Sequence, residues 1–355
     1  MSKVIRTART RIVCISDTHN STVKLPKGDV LIHAGDLTNQ GSYSELSKAV
    51  QWLEKADFEA KIVISGNHDI TLDPEFYAKH GSSFHNQCPQ NAAECQSLLT
   101  SSRTITYLRN NSATIRLERP DGPRTTFTVF GSPYSPQYGT WAFMYPRPGQ
   151  ELDASSSDGA AGASSSAAQL WAAIPHSTDI LVTHTPAYGH RDDSFGCEEL
   201  RQALARVRPR LHVCGHVHQG RGAERVRWDT GNLRTGDGMT AAELSVEQWE
   251  DPNPDPTSAK ISLVDLTGRG GKRPLDFNDP ESASQDSVGS CDPTERHEDV
   301  TLGTQSTGQA TRMSREGRKE TCVVNCAIVA TSWPHTGGKR LNKPIVVDLD
   351  LPVWR

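Results

Sequence analysis

A chain of 355 residues holds one large domain or two average ones, and a net charge of -4 with mixed signs gives no electrostatic case for a nucleic-acid polymer or a membrane surface as partner. Hydrophobic residues make up 35% of it, low for a chain folded throughout, so part of the length is expected outside any core. No apolar run approaches membrane-spanning length, and the N-terminus has no apolar stretch before a small-residue cleavage site; a soluble, non-secreted, cytoplasmic protein is expected.

In chain order, Arg11 to Ile15 reads as a strand and Asp29 to His33 as a second. Tyr43 to Lys55 places Leu46, Ala49, Val50 and Leu53 at helical spacing, and Lys61 to Ile64 is a third strand. Phe76 to Leu99 is helical in part. Thr125 to Phe130, Asp179 to Thr183 and Leu211 to Cys214 are short apolar or β-branched runs, with a helix expected over Cys197 to Val207. This alternation predicts an α/β fold in a single domain from about residue 10 to the C-terminus. Two stretches depart from it. Leu152 to Ala168 is built of small residues and reads as a flexible insertion. Residues 235–320 are rich in Asp, Pro, Ser, Thr, Gly and Glu and read as largely disordered, with one strand signal at Lys260 to Leu266. Strands return at Thr321 to Ala330 and Pro344 to Leu349.

Five of the strand-like runs end in polar residues able to bind metal. Asp17 and His19 lie two apart just past the first strand, and Asp36 follows Gly35. Asn67, His68 and Asp69 follow Gly66, His184 ends another run, and His216 and His218 flank Val217 after Gly215. Carboxylate oxygen, amide oxygen and neutral imidazole suit hard or borderline divalent cations. In open α/β sheets such loops, at strand C-termini, are where sites gather. Taken singly, Asp17 or Asp36 could equally be a cap or turn residue.

The order D-x-H, GD, GNHD, H and GHVH resembles the calcineurin-like metallophosphoesterase superfamily. VCISDTHN, DVLIHAGDLT, KIVISGNHD, ILVTHTPAYGHRD and RPRLHVCGHVHQGRG look closest to its brain-expressed, metallophosphoesterase-domain branch. The resemblance covers about residues 10–230 and 321–352. It implies two stacked mixed β-sheets flanked by helices, with two divalent metal ions at one end; manganese, iron or zinc would fit. Asp17, His19, Asp36 and His218 would hold one cation, and Asp36, Asn67, His184 and His216 the other. His68 would face the substrate together with Asn67 and protonate the leaving oxygen, while Asp69 would orient His68 or brace the loop. The implied activity is hydrolysis of a small phosphodiester. A protein phosphatase of the same superfamily and a non-catalytic nucleotide-binding scaffold are the alternatives. Asp36 is followed by Leu-Thr-Asn-Gln-Gly-Ser where those phosphatases carry VDRG, and Thr185 stands where many relatives have glycine.

Other residues have plainer expectations. His33 and His212 read as core, Trp141 and Phe143 as packing that could also wall a pocket, and Cys14 and Cys214 as buried thiols. Arg191 is expected either at the substrate phosphate, where its planar fork suits two oxygens, or with His190 in a loop salt bridge to Asp192 or Asp193.

Overall fold

The computed structural model describes residues 6–147, 167–229, 242–269, 273–276, 318–331 and 338–354. Strand β1 (Thr7–Ile15) is followed by β2 (Val30–Ala34), helix α1 (Tyr43–Lys55) and β3 (Ala60–Ile64). Helix α1 starts where Ser42 and Glu45 form a reciprocal capping box, and it buries Leu46, Val50 and Leu53. Next come α2 (Pro74–Phe84), α3 (Ala92–Thr100), β4 (Thr106–Leu108), β5 (Asn111–Arg116) and β6 (Thr126–Ser132). Asp73 caps α2 through the Phe76 N–H, with Pro74 in the first turn where its missing donor costs nothing. Two short strands, β7 (Ser135–Pro136) and β8 (Met144–Tyr145), bracket a loop, and α4 (Ala167–Ala172) precedes β9 (Ile180–Thr183). Helix α5 (Glu198–Val207), β10 (Leu211–Cys214), β11 (Gly222–Asp229), β12 (Ala242–Gln248), β13 (Ser262–Asp265), β14 (Glu320–Asn325) and β15 (Ile345–Pro352) complete the order.

The strands form two large mixed sheets, in the orders β13-β15-β1-β2-β3-β4 and β12-β11-β14-β10-β9-β6-β5. Strands β1 to β4 run parallel to one another, as do β6, β9, β10 and β14, while β15, β5 and β11 join these blocks antiparallel. One core lies between the sheets, where Ile12, Ile32, Ile62 and Ile64 meet Val129, Val182, Val213 and Val324. The opposite faces are covered too. Val13, Leu31 and Val63 pack with the buried face of α1, and Leu181 and Val323 pack with Leu200 and Leu204 of α5. Burial on both faces explains why the central strands read as continuous apolar runs. Each fully buried Leu, Ile or Val contributes about 1.5–3 kcal/mol.

The C-terminal strands enter the interior of both sheets: β14 lies between β10 and β11, and β15 between β1 and β13. The β1 and β14 ends also meet, through Ser16 N–H to Cys326 O at 3.1 Å, so the two sheets converge where the polar motifs leave their strands. Cys14, Cys214, Cys322 and Cys326 are free and buried.

Part of the stretch 235–320, expected to be largely disordered, is structured, and β13 falls on the strand signal read at Lys260 to Leu266. Within it, residues 242–269 and 273–276 are structured, β12 pairing antiparallel with β11 and β13 parallel with β15. Strand β12 is exposed along most of its length, so backbone bonds to β11 hold it where apolar burial does not, and a composition argument misses it. Residues 235–241, 270–272 and 277–317 lie outside the described residues, as do 152–166 of the other expected insertion; Ala167 and Ala168 begin α4. Among the described residues no helix is long and apolar enough to cross a membrane.

Candidate metal centre

At the converging strand ends the backbone turns sharply. Asp17, His19, Asp36 and His216 all adopt the left-handed region, with φ of 52°, 42°, 53° and 64°. Non-glycine residues there cost of order 1–3 kcal/mol each and persist only where the surroundings fix them. Fixing bonds are present: Asp17 N–H to Gly35 O at 2.9 Å, His19 N–H to Asp36 O at 3.1 Å, and Val329 N–H to Asp17 O at 3.2 Å. Lys339 adds its ammonium to the His19 carbonyl at 2.6 Å, a tie from far along the chain that no local sequence signal announces.

These turns bring the ligand atoms together. Atoms of Asp17, His19 and His218 lie within 4.8 Å of one another, as do those of Asp36, His184 and His216 and those of His19, Asp36 and His68. Asp36 joins the groups. Its Oδ2 is 3.6 Å from His19 Nε2 and 3.3 Å from His184 Nε2, and its Oδ1 accepts the His68 N–H at 2.8 Å. The Asn67 amide oxygen is 3.0 Å from His184 Nε2, and Asp17 Oδ1 is 3.4 Å from His218 Nε2.

Ring orientations follow from the backbone. His184 Nδ1 faces Ala34 O at 2.9 Å and His19 Nδ1 faces Thr38 O at 3.2 Å. A carbonyl only accepts, so each Nδ1 carries a hydrogen and each Nε2 faces the carboxylates, offering a lone pair when its ring is neutral. Imidazole nitrogens and carboxylate oxygens converging in this way suit a cation, and the backbone carbonyls play the orienting role usual behind metal-bound histidine. Burial supports this. It pushes His19 down to about 4 and His216 down to about 3, so both rings are neutral at neutral pH, the form that can bind a cation. Burial also lowers His184, but the adjacent Asp36 charge outweighs it and lifts that ring to about 9, a proton taking the place of positive charge. Burial would raise Asp36, yet the charges of His184, His68 and His19 hold it well below the usual carboxylate range.

Asp69 does not orient His68 through any bond of its own. Its Oδ1 accepts from the Thr38 N–H and hydroxyl at 3.0 and 2.7 Å, and its Oδ2 from Leu37 N–H and Gly66 N–H at 3.2 and 2.9 Å. It ties the Asp36 loop to the Asn67 loop. Burial and the Asp36 charge push it up to about 6 against the pull of these donors. The His68 ring is held instead by Asn39 O, 2.8 Å from Nδ1.

The Arg191 guanidinium, for which one expectation was the substrate phosphate, is held by acceptors of the protein itself. Its Nε and Nη2 donate to Gly220 O and Arg221 O at 3.0 and 2.6 Å, and Nη1 to Gln248 Oε1 at 2.7 Å. Gly220 and Gly222 admit it: a Cβ on Gly222 would lie 1.7 Å from Arg191 Nη2. His190 pairs with Glu224 and Glu243, not with Asp192 or Asp193. The fork thus braces the loop carrying His216 and His218. Asn325 braces it too, its amide donating to Arg191 O at 3.0 Å and Val217 O at 2.8 Å; a polar residue ending the apolar run before Cys326 was its sequence signal. Arg191→Ala is expected to cost about 2 kcal/mol in a urea titration, from charge-assisted bonds lost, and to weaken metal affinity with no selective rise in KM.

His33 and His212 are buried as expected, each with Nε2 on a threonine hydroxyl, Thr18 at 3.0 Å and Thr183 at 2.8 Å.

The calcineurin-like phosphoesterase family matches residues 10–220. Human Metallophosphoesterase domain-containing protein 1 is 39% identical over 229 residues, covering 60% of this chain and 62% of that protein. A segment of the protein named Probable rhamnogalacturonate lyase C of Emericella nidulans is 40% identical over 222 residues, covering 62% of this chain and 18% of that one. The chain therefore spans less than two thirds of either relative. The match covers the loops that supply all seven expected metal ligands, and the chain belongs to the calcineurin-like phosphoesterase family.

Proposed function

We propose that this chain is a metal-dependent phosphoester hydrolase with a two-cation centre, and that its substrates are small, nucleotide-like phosphodiesters. The observation that carries the reading is the Asp36 carboxylate, one oxygen of which lies between His19 Nε2 and His184 Nε2. Asp17, His19, Asp36 and His218 would hold one cation, and Asp36, Asn67, His184 and His216 the other. Bound there, two divalent cations supply an activated water and charge compensation for in-line displacement at phosphorus. Manganese, iron and zinc all suit the mixed nitrogen and oxygen donors.

His68 completes the chemistry. With Nδ1 committed to Asn39 O, its Nε2 is the nitrogen left to exchange a proton. As the water oxygen bonds to phosphorus and releases a proton to solvent, the phosphorus–oxygen bond to the leaving group breaks and His68 gives its Nε2 proton to the departing oxygen. Such general-acid help contributes typically about 10²–10⁴-fold. The diester preference is supported by Arg191. A dianionic monoester needs more cationic compensation than a monoanionic diester, and the arginine expected at the phosphate is spent on backbone carbonyls.

The test is chelation and reconstitution. Stripped protein should lose turnover of bis-(p-nitrophenyl) phosphate and regain it with manganese, while a phosphopeptide is turned over poorly. Efficient phosphopeptide turnover without diesterase activity would identify a protein phosphatase. Less than one equivalent of bound metal, with no diesterase activity after manganese, would identify a scaffold.

A further inference from the structure

Trp141 lies on the loop between β7 and β8, and its ring lies against the imidazole of His68, with centroids 4.0 Å apart and planes tilted by 34°. The loop under it is tied down on both sides. Ala142 N–H donates to the Asn67 carbonyl at 3.3 Å, and Phe143 N–H donates to Asp73 Oδ2 at 2.9 Å, the carboxylate that also caps α2. Phe143 is buried at a left-handed φ of 56°, and Arg109 sits 5.3 Å over its ring. Phe84, the last residue of α2, supports the indole from another side with ring centroids 5.3 Å apart.

His68 is therefore confined on several sides. Trp141 covers one face, His19 stands edge-on with centroids 4.8 Å apart at 89°, Nδ1 faces Asn39 O, and the backbone N–H is on Asp36. One hydrogen bond at Nδ1 still lets an imidazole swing about it; a flat wall against the ring face removes that freedom. The wall is built on the Asn67 carbonyl, so it keeps its place relative to the cation site.

We propose that Trp141 is the positioning residue for His68, holding its Nε2 toward the leaving oxygen. The inference rests on the role of His68 given above, and it assigns no contact between Trp141 and the reacting atoms. Misplacing a reacting group by about 1 Å can cost on the order of 10²-fold, so losing the wall removes a large share of what a general acid contributes.

The experiment compares two diesters that differ only in the leaving group, methyl p-nitrophenyl phosphate and methyl phenyl phosphate, on manganese-loaded full-length protein. The nitrophenolate leaves with little help, whereas the phenolate needs the proton. Trp141→Ala should lower kcat about tenfold for the phenyl ester and much less for the nitrophenyl ester, with KM and bound metal little changed. In a His68→Ala background the same substitution should add no further leaving-group effect. Trp141→Phe, which keeps a flat ring, should recover most of the loss, and Trp141→Leu, which fills space without one, should not; both serve if the alanine variant folds poorly. An equal fall for both esters, or a full additive effect on top of His68→Ala, would overturn the positioning role alone. A leaving-group effect absent from His68→Ala itself would overturn the proton-donor reading and this inference with it.

Discussion

Asp36→Asn is expected to abolish turnover, with kcat/KM falling on the order of a thousandfold or more and at least one equivalent of bound metal lost. The substitution keeps size and shape, so the loss must come from charge and hydrogen-bond direction. Asp36 Oδ1 accepts the His68 N–H at 2.8 Å, and Oδ2 lies between His19 Nε2 and His184 Nε2. An asparagine has one acceptor and one donor end. With its NH2 in the Oδ1 place, donor meets donor at His68 and a buried N–H loses its partner, at about 1–3 kcal/mol. With its NH2 in the Oδ2 place, hydrogens point where both proposed cation sites need a lone pair. Neither rotamer serves. Metal analysis, circular dichroism and a diesterase assay on one preparation separate the outcomes. A folded variant with two equivalents of metal and near-normal activity would refute the shared role of Asp36.

The main elements were legible because several levels of the chain agree on them. Helix α1 carries a capping box at Ser42 and Glu45 before an amphipathic run, so composition, cap and periodicity point the same way. The central strands are apolar on both faces, and their polar endings stand out against that background. What was not legible depends on distant partners. Asp17, His19, Asp36 and His216 take left-handed turns with no glycine at those positions to signal them, because bonds from Gly35, Asp36 and Val329 hold the first turns in place. Arg191 follows a histidine and precedes two aspartates, yet its partners are carbonyls about thirty residues later, exposed to it by glycines at 220 and 222. Asp69 was open to two roles, orienting His68 or bracing the loop, and its bonds to Thr38 and Gly66 are those of a brace between two loops. Strand β12 lacks a buried face and depends on β11 for its backbone bonds. Sequence spacing conveys which atoms can bind a cation; it conveys less about what holds their loops.

The second large effect concerns the space between those loops. Gly66→Ala is expected to lower kcat/KM on the order of a hundredfold, to weaken binding of at least one cation, and to cost about 1–3 kcal/mol of stability in a denaturant titration. Gly66 has no positive φ, so alanine meets no backbone objection there; the difficulty is room. A Cβ at this position would lie 2.2 Å from Asp36 Oδ1, 2.4 Å from the Asp36 nitrogen and 2.6 Å from His184 Cε1. All three belong to groups that are themselves pinned, Asp36 by the His68 N–H and His184 by the Ala34 carbonyl. Relief therefore requires moving the Asp36 carboxylate or the His184 ring by about 1 Å, the scale on which aligned groups stop cooperating. Gly189 is the control. It has a φ of 80° but nothing within 4 Å of an added Cβ, so Gly189→Ala should cost stability of order 1 kcal/mol through backbone strain and leave metal content and kcat unchanged. If Gly66→Ala bound two cations and turned over diesters at the wild-type rate, close packing of Asp36 and His184 on this glycine would not be what sets the distance between the two halves of the site.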